Sequence, residues 1–125
     1  MKDIQEHILL TDLNDNGILR LTLNDIGNKN ALSESMMHKL LKAISKASKD
    51  NSVRVIIITS TGNVFCSGHN LKEINEANKE EDKGKSYYLD LFKTCSKLMQ
   101  LIINCPKPVI AEVNGIATAA GCQLV

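Results

Sequence analysis

Phe65-Cys66-Ser67-Gly68-His69-Asn70-Leu71-Lys72-Glu73-Ile74 follows the apolar run Val53 to Ile58 and leads into a polar, helix-prone segment. A second glycine-bearing turn, Asn114-Gly115-Ile116-Ala117-Thr118-Ala119-Ala120-Gly121-Cys122-Gln123-Leu124, also follows an apolar run and opens a helix-like segment. The first N–H groups of a helix have no carbonyl partner within it. Two strand-to-helix turns leaving one layer therefore aim unpaired donors at one point, which is what an oxyanion hole requires.

Working outward, Val53-Arg54-Val55-Ile56-Ile57-Ile58 is β-branched and nearly continuous, which predicts a central strand covered on both faces. Upstream, His7 to Leu13 and Ile18 to Leu23 are β-prone runs separated by Asn14-Asp15-Asn16-Gly17, whose Asn-Gly ending favours a hairpin. Asn24 to Asn30 reads as a loop, and Ser33 as the N-cap of a helix running toward Lys49. Met37, Leu40, Leu41, Ile44 and Ala47 recur at helical spacing, with Lys39, Lys42, Lys46 and Lys49 mostly off that stripe, so one face should pack on a sheet.

Downstream of the first turn, Asn75 to Ser86 is dense in Glu, Asp and Lys and predicts a solvated, mobile connection. Tyr88, Leu91, Phe92, Cys95, Leu98, Met99 and Ile102 trace a second apolar stripe that should stop near Asn104, because Pro106 and Pro108 follow. Val109 to Val113 is the next strand. The order ββ, α, β, loop, α, β and the start of another α describes one α/β domain over 1–125, with no internal repeat or linker.

Composition narrows the function. Lysine plus arginine total 15 against 14 acids, for a formal charge of +1, which argues against a nucleic-acid binder relying on a broad basic face. Cys66, Cys95, Cys105 and Cys122 show no CxxC pair or zinc spacing and read as reduced, structural thiols, with no metal site expected. The start Met1-Lys2-Asp3-Ile4-Gln5-Glu6 has no leader character and no apolar run reaches membrane-spanning length, so the expectation is a cytoplasmic protein without a membrane span.

Asn30-Ala31-Leu32, Val55 to Thr59, Phe65 to Glu73 and Pro108 to Gly115 resemble, in order and spacing, the enoyl-CoA hydratase/isomerase (crotonase) superfamily. The likeness spans nearly the whole chain, and Phe92 to Lys97 together with Ala117 to Val125 narrow it to one subfamily. It implies the N-terminal portion of a crotonase-like ββα spiral that binds acyl-CoA thioesters, with no cofactor apart from the coenzyme A of the substrate. By the resemblance, the backbone N–H groups of His69 and Ala120 hold the thioester oxygen. With no carboxylate partner identifiable for its ring, the His69 imidazole is expected to line the acyl pocket or to hydrogen-bond locally. Lys29 matches a basic position near the coenzyme A nucleotide, and Lys72 is a second candidate at the same end. Ala31, Ser67, Gly68, Asn70, Leu71 and Gly121 are expected to line the ligand.

The pattern also departs from the family. Typical hydratases carry a glutamate where Gln123 stands, and a further glutamate beyond the position of Val125. A glutamine positions water but cannot act as a general base. Hydration of a 2-enoyl-CoA is the default expectation. The alternatives are an acyl-CoA-binding or regulatory protein of fatty-acid metabolism without the catalytic glutamates, or an inactive fragment. Because Leu124-Val125 falls within an apolar helix, the chain reads as the N-terminal part of a longer protein. Relatives assemble as trimers or hexamers, an arrangement expected of the longer parent.

Overall fold

In the computed structural model, which describes residues 7–125, the Asn14 to Gly17 turn closes an antiparallel hairpin of β1 (Leu9–Leu13) and β2 (Ile18–Leu23). Asn14 Oδ1 accepts from the N–H groups of Asn16 and Ile18 at 3.0 and 2.9 Å, and Gly17 takes φ +81°, a value glycine adopts without strain. From β2 the chain passes through a short 3-10 turn (Ile26–Asn28) into α1 (Glu34–Lys49). Ser33 Oγ accepts from Met36 N at 3.1 Å, so the expected N-cap forms. At the other end the Lys107 ammonium donates to the carbonyls of Ala47 and Asp50, satisfying groups the helix leaves open.

β3 (Val55–Ser60) lies at the centre of a four-stranded sheet of order β1-β2-β3-β5, parallel to β2 and to β5 (Val109–Ala111). It begins two residues later than the apolar run suggested. Gly17 O accepts from both Arg54 N and Val55 N, so pairing starts there and extends into polar Thr59 and Ser60. One sheet face carries Leu21, Leu23, Ile56 and Ile58, buried with Met36, Met37, Leu40 and Ile44 of α1 and with Leu91 and Leu98 of α3 (Lys85–Ile103). Removing such a side chain, as in Leu40→Ala, costs about 2–5 kcal/mol. The expectation that β3 is covered on both faces needs correction. Ile57 is half-buried, its neighbour Ile110 is exposed, and Arg20 and Glu112 pair at 3.0 Å on that second face.

Two short strands escape the sequence reading. β4 (Val64–Cys66) and β6 (Ile116–Ala117) pair in parallel as a second sheet, with Val64 opposite Ile116 and Cys66 opposite Ala117. Both glycine turns therefore leave this small sheet, and not the larger one. α2 (Leu71–Ala77) follows β4, and α4 (Ala120–Leu124) follows β6. Asn75 to Ala77 are helical, so the polar connection predicted from Asn75 is confined to the turns that precede Lys85. Among the described residues, no helix is long and apolar enough to cross a membrane, and no cluster of three or more His, Cys, Asp or Glu side chains could hold a metal ion.

Candidate active site

Three segments meet at the carboxyl ends of β4 and β6. Gly68, at φ +93°, turns the chain so that its carbonyl accepts from Leu32 N at 2.7 Å, while Ser67 N donates to Lys29 O at 3.3 Å. Asn70 Oδ1 then accepts from Lys72 N and Glu73 N, so Asn70 is the N-cap of α2, a local role its sequence position signals. The Lys29 segment is held by Asn30, which is buried at φ +51°. Its Oδ1 accepts from Asp25 N at 2.7 Å, and its Nδ2 donates to the carbonyls of Thr61 and Val64 at 3.0 and 2.8 Å.

The second turn is tied to the first by Thr118, whose N–H donates to Cys66 O at 3.0 Å and whose hydroxyl donates to Ser67 O at 3.1 Å. Ala119 adopts φ +51°, ψ −125°, and α4 starts at the next residue. Gly121 is pressed onto β4: a Cβ there would collide with the Cys66 carbonyl. Its role is close backbone approach. Among the described residues, the backbone N–H groups of His69 and Ala120 donate to no backbone carbonyl. Two free donors thus stand at the ends of neighbouring parallel strands.

Two grooves meet at this point. One, of about 680 Å³, is lined by Lys29, Ala31, Ser67, His69, Asn70, Leu71 and Lys72, with Gly27, Asn28, Ile74 and Ala119 added to the residues expected from sequence. Lys29 and Lys72 are exposed, and among the described residues neither forms an ion pair. The other, of about 440 Å³, is lined by His69, Phe92, Cys95, Ser96, Met99, Ala119, Ala120 and Gln123. Among the described residues, only His69 and Ala119 belong to both. Gly68 and Gly121 are buried behind the turns and line neither groove. A separate cavity of about 240 Å³ between the hairpin and α1 contains none of the expected site residues.

No Asp, Glu, Lys or Arg side chain lines the second groove. Burial pushes the Cys95 thiol up, and burial likewise pushes up that of Cys66 beneath it, so neither is poised as a thiolate. The His69 ring meets Phe92 edge-on with centroids 6.2 Å apart, and among the described residues its buried Nδ1 has no hydrogen-bond partner. Phe92 is 60% exposed, which corrects its assignment to the core stripe of α3. Phe92, Cys95, Ser96, Met99 and Ala119 are the residues of this groove that sequence reasoning missed; for Phe92, Cys95 and Met99 the reason is that an apolar side chain at helical spacing signals a core and an open groove alike. Behind the first turn, Glu73 accepts from Glu34 N at 3.2 Å and from the Tyr87 hydroxyl at 3.4 Å. Burial, with the Glu73 charge beside it, pushes the Tyr87 phenol up to about 12.

Comparison with known proteins agrees with this architecture. The profile of the enoyl-CoA hydratase/isomerase family matches residues 14–125. The chain is 51% identical over 121 residues to the Xenopus laevis mitochondrial enoyl-CoA hydratase domain-containing protein 3, covering 96% of this chain and 40% of that protein. The human protein of the same name is 47% identical over 109 residues, covering 87% of this chain and 34% of its own length. A crystal structure of enoyl-CoA hydratase from Mycobacterium smegmatis superposes with a TM-score of 0.86 at 44% identity, covering 95% of this chain and 44% of the other.

These relatives match the subfamily to which Phe92 to Lys97 and Ala117 to Val125 pointed. They also overturn the expectation of a cytoplasmic location, since the frog and human proteins are both named mitochondrial. That expectation rested on the lack of leader character at Met1 to Glu6, which carries no weight in a chain spanning well under half the length of these relatives. With the profile matched across residues 14–125 and the same fold in solved relatives, the chain belongs to the enoyl-CoA hydratase/isomerase family.

Proposed function

We propose that this chain supplies the coenzyme A site and the oxyanion hole of an acyl-CoA protein. The thioester oxygen lies between His69 N–H and Ala120 N–H, the coenzyme A portion in the groove bearing Lys29 and Lys72, and the acyl group in the groove under Phe92 and Met99. The observation that carries this reading is the pair of unpaired N–H groups at the junction of the two grooves. Negative charge developing on the oxygen is stabilised there by donors that need no reorganisation, and losing one such donor costs about 3 kcal/mol of transition-state stabilisation. The lysines favour the phosphates. No cofactor is required beyond the coenzyme A moiety of the ligand.

Hydration of a 2-enoyl-CoA is the family default, and proton transfer is the part these residues leave open. Gln123 faces the acyl groove and cannot ionise, which favours a second reading: an acyl-CoA-binding protein that polarises the thioester without adding water. Loss of enoyl absorbance from crotonyl-CoA, followed with the protein that carries this chain, separates the two. Turnover above background establishes a hydratase. Saturable binding without turnover favours the binder, and no binding at all overturns the site.

A further inference from the structure

Ala119 is an L-residue in a conformation that glycine adopts more easily, at φ +51° and ψ −125°. It cannot relax away, because its carbonyl accepts from Cys122 N at 3.0 Å and Gln123 N at 3.2 Å in the first turn of α4. Its methyl occupies the gap between the two turns: a Cβ built on Gly68 would lie 3.0 Å from the Ala119 Cβ. Ala119 is exposed, and among the described residues it and His69 alone line both grooves. The methyl thus stands at the throat where the two grooves join, one residue from the Ala120 N–H.

We infer that the Ala119 methyl sets the width of this throat and makes the site select thioesters whose α-carbon is unbranched over those carrying an α-methyl branch. The inference rests on the acyl-CoA reading above. A ligand whose thioester oxygen meets His69 N–H and Ala120 N–H places its α-carbon next to that methyl. A branch there meets the methyl, which cannot retreat, since Gly68 backs it so closely that a Cβ on Gly68 would lie 3.0 Å from it. A methyl group that fits in one ligand and collides in another separates them by about 10–200-fold. A glycine at 119 would remove both the obstruction and the backbone strain, so the strained alanine is the arrangement that needs a reason.

The test is a calorimetric titration of coenzyme A, butyryl-CoA and isobutyryl-CoA into the protein and its Ala119→Gly variant. The parent is expected to bind butyryl-CoA more tightly than isobutyryl-CoA by about tenfold or more. In Ala119→Gly the ratio should fall toward one. In Ala119→Ser, which adds an atom to the same wall, it should rise. The ratio is the readout, so a uniform loss of affinity does not imitate the effect. Equal affinities in the parent, or a ratio that neither variant moves, overturns the throat while leaving the acyl-CoA site standing. Failure of coenzyme A and both esters to bind overturns the acyl-CoA reading and the throat with it.

Discussion

Gly68 lies against Ala119 so closely that a methyl on Gly68 would stand 3.0 Å from the Ala119 Cβ and 3.2 Å from Ala120 N. At φ +93° any other residue is also strained. Gly68→Ala is therefore expected to lower stability by about 1–3 kcal/mol and to separate the two donor N–H groups. Denaturant unfolding measures the first effect and thioester titration the second. Unaltered affinity would show that the ligand does not use this junction.

Asn30 is the hub of the Lys29 segment, accepting from one backbone N–H and donating to two carbonyls while 1% exposed. Asn30→Ala leaves those three part-buried groups without their partner, at an expected cost of about 1–3 kcal/mol. Asn30→Asp should be no better, because a carboxylate cannot donate to the carbonyls of Thr61 and Val64. A midpoint of unfolding unchanged in either variant would contradict this wiring.

Tyr87 gives a pH dependence with a definite sign. Its folded pKa is raised from 10.0 to about 12, chiefly by burial and next by Glu73, so between those values the folded state holds the proton more tightly than the unfolded one. The stabilisation is complete below pH 10 and is lost as pH rises toward about 12. Stability measured across that window should fall more steeply for the parent than for Tyr87→Phe. Equal slopes would mean that the phenol is not held as described.

Lys29 and Lys72 should act on the ligand as solvent-exposed charges. The double variant Lys29→Ala, Lys72→Ala is expected to weaken coenzyme A binding about fivefold to tenfold at low salt, with the difference shrinking as ionic strength rises. Titrations at two salt concentrations check both parts. A loss that salt leaves untouched would point to packing by the lysine stems.

Much of the larger sheet and its helix was legible because the signals there are local. Ser33 caps α1, the aliphatic stripe to Ala47 faces the core, and Asn16-Gly17 makes its turn. The small sheet was not legible. β4 and β6 are too short to show a period, and they exist because Val64 finds Ile116 far along the chain. The same reason hid the end of β3, where Ser60 donates to Asn114 Oδ1 and Thr59 to Glu112. At the site, the two donor positions were named from resemblance. That Phe92 opens onto a groove, and that Ala119 stands between the turns, depend on how distant segments pack.

The ladder joining β4 to β6 has a consequence for motion. Only two residue pairs hold it, and the Thr118 hydroxyl bond to Ser67 closes a loop of 51 positions. Such a junction forms late, since the entropy of a long loop must be overcome before its few bonds exist. By the same reasoning it is expected to open early in the native ensemble. A ligand spanning both turns would act as an additional rung, so its arrival should be registered as slowed amide hydrogen exchange at Thr118 and Ser67 while the amides of β3, deep in the larger sheet, remain as protected as before.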